Sequence, residues 1–284
     1  MNNRQKVASI LLGALTYIKL FRGSKIVIKY GGAAQINPQL KEQFALDIVM
    51  LYMLGIKPVI VHGGGKRINE LLDLLNITSE FINGIRKTSI DALKIVEMVL
   101  SGEINKEITA FLNFHGVNAI GISGKDSSLF SAIPKDNGKY GYTGDIIETK
   151  GEVIDKLLSE DLIPVIAPIA CGNESGHPGF NINADSAASA IAVAIKAKRA
   201  IFLTDTIGVL DGNGKIYESL NASLTMKLVE NGIISGGMIP KVESCLMCIR
   251  GGVEKAHIID GRIPHAILLE LLTSGGIGTE FTLD

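Results

Sequence analysis

Short, continuously apolar segments rich in β-branched residues recur along this chain, and each stops on glycine or a polar side chain. They run Lys25–Lys29, Pro58–His62, Val117–Ser123, Ile163–Pro168, Ala200–Asp205 and Ala256–Asp260. Longer stretches with helical spacing separate most of them: Pro38–Leu54, Lys66–Leu75, Ile90–Phe114, Ser186–Lys198, Pro240–Arg250 and Pro264–Leu272. A strand without a polar face must be covered on both sides. Strands joined through helices run parallel, so the pattern demands an α/β fold with a mostly parallel sheet and helices on both faces. Pro38, Pro240 and Pro264 each suit the first turn of a helix. The texture changes from Leu129 to Thr149, which is rich in Gly, Lys, Tyr and Thr and reads as an antiparallel hairpin.

The 284 residues suffice for one large domain or two fused lobes. No low-complexity linker divides them, and a join between lobes falls near residues 185–200, in the helix after Asp185. A net charge of −1 offers no basic field to nucleic acid or anionic lipid, and the lack of Trp argues against base-stacking surfaces. Three cysteines fit a reducing compartment. Cys245 and Cys248 have C-x-x-C spacing but no second Cys pair or His at metal distance, so they read as small buried side chains on a helix. Near the start, Val7, Leu11, Ala14, Ile18 and Phe21 follow helical spacing, and Lys19 and Arg22 interrupt the apolar run before it could cross a bilayer. This is expected to be an amphipathic packing helix, not a signal peptide.

In open parallel sheets ligands sit at the carboxyl ends of the strands. Lys29 with Gly31 and Gly32, His62 with Gly63, Gly64 and Gly65, Ser123-Gly124, and Asp205 all fall there. Gly121-Ile122-Ser123-Gly124-Lys125-Asp126 has the wrong spacing for a P-loop, and Gly63-Gly64-Gly65 lacks the third glycine of a dinucleotide fingerprint. The three glycines still end a strand and open a helix, where backbone amides attract a carboxylate or a phosphate. Arg86 offers a bidentate fork for a carboxylate, although taken alone it reads first as a solvated surface arginine. Asp185 is either the N-cap of the following helix or a carboxylate that fixes two lysine heads, or both. Asn181 presents an amide that can donate and accept. Thr204-Asp205-Thr206-Ile207-Gly208-Val209-Leu210 reads as a turn or as a loop along a purine edge. Lys241 follows Gly236-Gly237-Met238-Ile239-Pro240, a second lysine beside a glycine pair.

The ordered set Val27-Ile28-Lys29-Tyr30-Gly31-Gly32, Val61-His62-Gly63-Gly64-Gly65, Asn83-Gly84-Ile85-Arg86, Ser123-Gly124-Lys125-Asp126, Asn181-Ile182-Asn183-Ala184-Asp185, Leu203-Thr204-Asp205 and Gly236-Gly237-Met238-Ile239-Pro240-Lys241 resembles the amino acid kinase family over nearly the whole chain. The resemblance implies a three-layer α/β/α sandwich with an amino-acid lobe at 25–190 and an ATP-binding lobe at 191–284. It implies transfer of the γ-phosphoryl group of ATP, carried with Mg²⁺, to the side-chain carboxylate of N-acetyl-L-glutamate in arginine biosynthesis. Gly64, Gly65, Arg86 and Asn181 would hold that substrate. Lys29 and Lys241 would stabilise the transition state, with Asp185 orienting both. Asp205, Thr206, Gly208, Val209, Leu210, Ile233, Ile234 and Ser235 would contact ATP, and the chain itself would ligate no metal. Residues 1–24 resemble the helical extension of the arginine-inhibited branch, where such helices interlace dimers into hexamers. On that likeness Tyr17, His257, Glu270 and Gly276 would contact arginine, although Ser274 stands where an acidic residue is usual. Some relatives bind the PII signalling protein. The implied compartment is the cytoplasm, or a plastid stroma for an organelle-encoded chain.

Within the same family, glutamate 5-kinase, aspartokinase, carbamate kinase and uridylate kinase are the rivals. The first two are disfavoured by the expectation that no regulatory or RNA-binding-like domain follows residue 284. A non-catalytic arginine-sensing subunit would have no need of Lys29, Asp185 and Lys241 together. An NAD-dependent oxidoreductase would need the missing fingerprint.

Overall fold

In this computed structural model, residues 3–35, 37–82 and 84–284 are described. Asn83 and the side chains of Val7 and Leu11 lie outside the described residues. Along the chain, α1 (Asn3–Phe21) precedes β1 (Lys25–Tyr30), α2 (Pro38–Met53), β2 (Lys57–His62) and α3 (Gly65–Leu74). A small hairpin, β3 (Glu80–Ile82) and β4 (Ile85–Lys87), leads to α4 (Ile90–Glu97) and, through a π-helical turn at Met98–Ile104, to α5 (Asn105–Phe114). Next come β5 (Ala119–Ser123), β6 (Phe130–Pro134), β7 (Gly144–Thr149), α6 (Gly151–Ser159), β8 (Ile163–Ala167), β9 (Ile169–Ala170), β10 (Phe180–Asn181) and α7 (Ala184–Ala194). The last part holds β11 (Arg199–Thr204), β12 (Ser219–Asn221), α8 (Ala222–Glu230), α9 (Met238–Arg250), β13 (Lys255–Asp260), α10 (Ala266–Leu272) and β14 (Thr279–Thr282).

Eight strands form one sheet in the order β12-β14-β13-β11-β1-β2-β8-β5. The six strands from β13 to β5 are parallel, while β14 runs antiparallel to β13 and carries β12 beside it. Strands from residues 25–167 fill one half of the sheet and those from 199–282 the other, joined at the β1–β11 pairing. Alternation along β1 assigns the faces. Ile26, Ile28 and Tyr30 pack with Phe44 and Ile48 of α2, Ile108 and Leu112 of α5, and Ile267 of α10. Val27 packs on the other face with Ile191 of α7, Ile154 of α6, and Cys245 and Ile249 of α9. Helices therefore cover both faces, giving the three-layer α/β/α sandwich. Cys245 and Cys248 are buried on α9, as free thiols.

The six expected strands and the 129–149 hairpin are present within two residues of their expected ends. Differences have local causes. Pro38 occupies the first turn of α2 and Pro240 that of α9, but Pro264 precedes α10, because His265 takes a left-handed conformation (φ +56°) and the helix starts at Ala266, two residues later than expected. The single helix expected over Ile90–Phe114 contains the π turn, which leaves no periodicity signal of its own. β9, β10, β12 and β14 have four residues or fewer, too short to show alternation. Among the described residues no helix is long and apolar enough to cross a membrane.

Phe202 lies at the middle of β11 and is fully buried between the layers. Phe202→Ala should cost about 3–5 kcal/mol, from lost burial plus the cavity left behind. Urea unfolding should show the midpoint falling at an unchanged slope.

Candidate active site

Strand parity turns Lys29, like Val27, toward the face covered by α7. Asn183 caps α7, its side chain accepting from the amides of Asp185 (2.8 Å) and Ser186 (3.1 Å). Of the two readings open for Asp185, the cap therefore goes to Asn183, and Asp185 becomes the second residue of the helix with its carboxylate free to face the strand ends. Lys29 Nζ lies 3.0 Å from Asp185 Oδ1, a charge contact without hydrogen-bond geometry. From 56 residues further along the chain, Lys241 in the first turns of α9 donates to Asp185 Oδ2 at 3.4 Å. α9 is held against α7 where Ser189 Oγ donates to the Ser244 carbonyl at 2.9 Å. Burial pushes the Asp185 carboxyl up, but the ammonium groups of Lys29 and Lys241 outweigh it and hold the group below its ordinary value. Gly31 is glycine for room: a Cβ there would stand 2.8 Å from Lys29 Nζ.

β2 ends on His62, and Gly64 is the N-cap residue of α3. The first amides of that helix have no partner within it, and the residues that carry them line the strand-end crevice. A cleft of about 550 Å³ opens there, lined by Lys29, Gly31, Gly32, Gly63, Gly64 and Gly65, with Phe44, Ile108 and Phe111 as its apolar wall. His62 is fully buried, and desolvation lowers its pKa to about 4. Gln35, unremarked in the sequence, donates to the carbonyls of Tyr30 and Gly63 at 3.1 Å each and ties the two glycine loops together.

Arg86 is not a surface arginine. It is buried on β4 under the ring of Phe81, with its Nη2 donating to Asn69 Oδ1 at 2.6 Å and to the Gly65 carbonyl at 3.5 Å, and its Nη1 to Ser79 Oγ. Thr143 Oγ1 donates to the Arg86 carbonyl (2.6 Å) and meets Thr88 Oγ1 at 2.8 Å, which in turn accepts from Asn181 Nδ2 at 3.1 Å. Gly65, Arg86 and Asn181 thus belong to one hydrogen-bonded cluster beside the glycine turn. Ser123-Gly124-Lys125-Asp126 closes on itself: Asp126 Oδ2 accepts from the Ser123 amide and hydroxyl, and Lys125 pairs with Glu97.

The loop after β11 carries Asp205, Thr206, Gly208, Val209 and Leu210. The side chain of Val209 is buried, its amide donates to Thr279 Oγ1 (2.9 Å), and Gly208 has φ +146° with Thr279 and Ile216 filling the space of a Cβ. Ile233, Ile234 and Ser235 form the turn before α9; Ile234 is buried and Ser235 exposed. A second cleft, about 370 Å³, is lined by Tyr17, His257, Glu270 and Gly276 together with Arg199, Glu218, Lys255 and Glu280. Its floor is built. His257 Nδ1 lies 2.6 Å from Glu270 Oε1, and Glu270 Oε2 accepts the amides of Ile277 and Gly278. Among the described residues no cluster of His, Cys, Asp or Glu could hold a metal ion.

Comparison with known proteins adds independent weight. The amino acid kinase family matches residues 24–260. The chain is 66% identical to the acetylglutamate kinase of Wolinella succinogenes over the full length of both proteins. It is 61% identical to that of Helicobacter hepaticus, over 95% of this chain and 97% of that protein. Among solved structures it resembles N-acetylglutamate synthase from Neisseria gonorrhoeae complexed with coenzyme A and N-acetyl-glutamate (TM-score 0.86, 25% identity), covering 98% of this chain but only 63% of the synthase. It shares its fold with carbamate kinase from Giardia lamblia bound to AMP-PNP (TM-score 0.70, 16% identity, 92% of this chain and 99% of that one).

The buried imidazole makes stability pH-dependent. Its folded pKa of about 4 lies below the unfolded value near 6.5, so the unfolded chain takes up a proton first. The stabilisation is complete above pH 6.5 and is lost as pH falls toward 4, by about 2 kcal/mol between pH 7 and pH 5. Urea unfolding at the two pH values should show this loss, and His62→Gln should remove most of it.

Proposed function

We infer the reaction from one premise: the chain belongs to the amino acid kinase family. It is an acetylglutamate kinase by activity, phosphorylating the side-chain carboxylate of N-acetyl-L-glutamate with ATP to give N-acetyl-L-glutamyl 5-phosphate and ADP, a step toward arginine. The observation that carries the reading is the meeting of Lys29 and Lys241, far apart in the chain, on the buried carboxylate of Asp185. Full-length identity of 66% to a protein of that name supports the choice of substrate. The lobes divide at about residue 190, with the acetylglutamate on the side of β1, β2 and β8 and ATP over β11 and β13.

The acceptor carboxylate is already ionised near neutral pH, so no general base is required. It attacks the γ-phosphorus in line while the bond to the β-phosphate oxygen breaks and ADP leaves with the electron pair. The protein's work is alignment and charge neutralisation. Gly64 and Gly65 present amides to the anionic centre, and Arg86 and Asn181 hold the far end of the acetylglutamate. Lys29 and Lys241 reach the transferring group from two sides, and Asp185 holds both heads in place. Mg²⁺ arrives on the ATP phosphates and reduces their charge. ATP would lie along Asp205–Leu210 and Ile233–Ser235, whose backbone is pinned by Thr279 and by the buried side chains of Val209 and Ile234. The compartment that fits this chemistry and its free thiols is the cytoplasm.

The second cleft supports feedback by arginine. It places carboxylates of Glu218, Glu270 and Glu280 beside the cations of Lys255 and Arg199, a mixed set suited to an amino acid with a guanidinium tail. Tyr17 brings α1 into that cleft, and Leu12, Leu15 and Leu20 leave apolar surface exposed on the same helix. This supports a hexamer assembled through α1.

ADP release measured with N-acetylglutamate, glutamate, aspartate and UMP, with hydroxylamine trapping the acyl phosphate, should show turnover with N-acetylglutamate; activity with UMP alone defeats the reading. Lys29→Ala and Lys241→Ala should each lower kcat by roughly 10²-fold or more, and near-normal turnover would refute their assignment. Removing residues 1–20 should give dimers insensitive to arginine; a hexamer persisting on a sizing column contradicts the assembly.

A further inference from the structure

The rod from Ile90 to Phe114 is helical throughout, yet it holds a π turn at Met98–Ile104. Such turns are intrinsically poor and persist mainly where function needs the altered register. Here the register change faces the glycine loop. A Cβ on Gly64 would lie 2.4 Å from Ile104 Cδ1 and 2.8 Å from Leu100 Cδ2, so two side chains of the π turn fill the space behind that glycine.

The residue that follows the turn, Asn105, is fully buried. Its Nδ2 lies 2.9 Å from the Val165 carbonyl, 3.2 Å from the Ile122 carbonyl and 3.1 Å from His62 Nε2. Its Oδ1 accepts from Lys106 Nζ at 3.1 Å, and β5 makes room for it with Gly121, where a Cβ would stand 2.0 Å from that oxygen. The amide nitrogen has two hydrogens to share among these three neighbours and accepts none, so a proton on His62 Nε2 would face it unpaired; Nε2 is the bare, accepting nitrogen. The neutral ring then carries its proton on Nδ1, which donates to the Gly63 carbonyl at 3.2 Å. Gln35 Nε2 holds the same carbonyl from the other side. In a trans peptide the carbonyl and the next N–H point in opposite directions. Fixing the Gly63 carbonyl on His62 and Gln35 therefore turns the Gly64 amide away from both, and Gly64 lines the cleft with Lys29.

We propose that Asn105 is a positioning residue for phosphoryl transfer: seated by the π turn, it holds His62 in the tautomer that anchors the Gly63 carbonyl and aims the Gly64 amide at the anionic centre. The inference rests on the kinase reading above. Asn105 touches no substrate; it acts through His62 and one peptide plane.

The test combines kinetics with a tautomer measurement. Asn105→Ala should lower kcat with N-acetylglutamate about 10- to 100-fold while KM for ATP changes less than about twofold, since misplacing one donor by a fraction of an ångström weakens the transition state selectively. In a His62→Phe background the same substitution should add little, because both act through one path. Additive losses, or a kcat unchanged in Asn105→Ala, overturn the inference while leaving the kinase reading intact. Wild-type protein that transfers nothing to N-acetylglutamate overturns both. Nitrogen-15 spectra of wild-type His62 should show a protonated Nδ1 and a bare Nε2. The opposite tautomer overturns the proposal even if the variants fail to fold.

Discussion

One buried carboxylate holding two ammonium groups is the constraint around which this molecule is arranged. Burying Asp185 and Lys29, with Lys241 half-buried beside them, is costly, and the cost is offset only where the attraction is close and mutual. Asp185 meets both conditions, with Lys29 on one oxygen and Lys241 on the other. Removing the carboxylate would leave two like charges facing each other in a crevice, which explains why the placement of α7 and α9 must be firm. The bond from Ser189 to the Ser244 carbonyl and the apolar packing of α7 on α9 supply that firmness.

The same economy of backbone appears at each strand end. Parity along β1 sends Lys29 to the side of α7, while Tyr30 stacks on Phe44 toward α2. At three positions glycine serves for space: Gly31 leaves room for the Lys29 head, Gly64 for Leu100 and Ile104, and Gly121 for Asn105. Backbone amides are thereby brought to the cleft while the side chains that orient them stay behind the loop, out of water. His62 and Asn105 are buried for that reason, and burial in turn keeps the imidazole neutral.

The second cleft lies on the far half of the sheet, between α1, β13 and α10. Its central acid, Glu270, is prepaid by His257 and by two loop amides. Burial raises its pKa, and these partners more than reverse the effect, so it stays ionised. A carboxylate held in that state within a cleft rimmed by cations and acids is ready for a charged ligand without rearrangement.

The sequence by itself determined the layered architecture, the strand-end positions of Lys29 and His62, and the lysine–glycine strings, because these follow from apolar periodicity and local turn chemistry. It identified Asp185 but left open whether that residue caps α7; the tertiary fold gave the cap to Asn183, two residues earlier, since only there does a side chain reach back to the first amides. Arg86 alone looked like a solvated arginine; burial under Phe81 depends on a hairpin too short to announce itself. Gln35 and Asn105 carried no local signal. Their significance comes from partners 28 to 60 residues away, and contacts at such separations are fixed by how layers stack, not by any pattern along the chain.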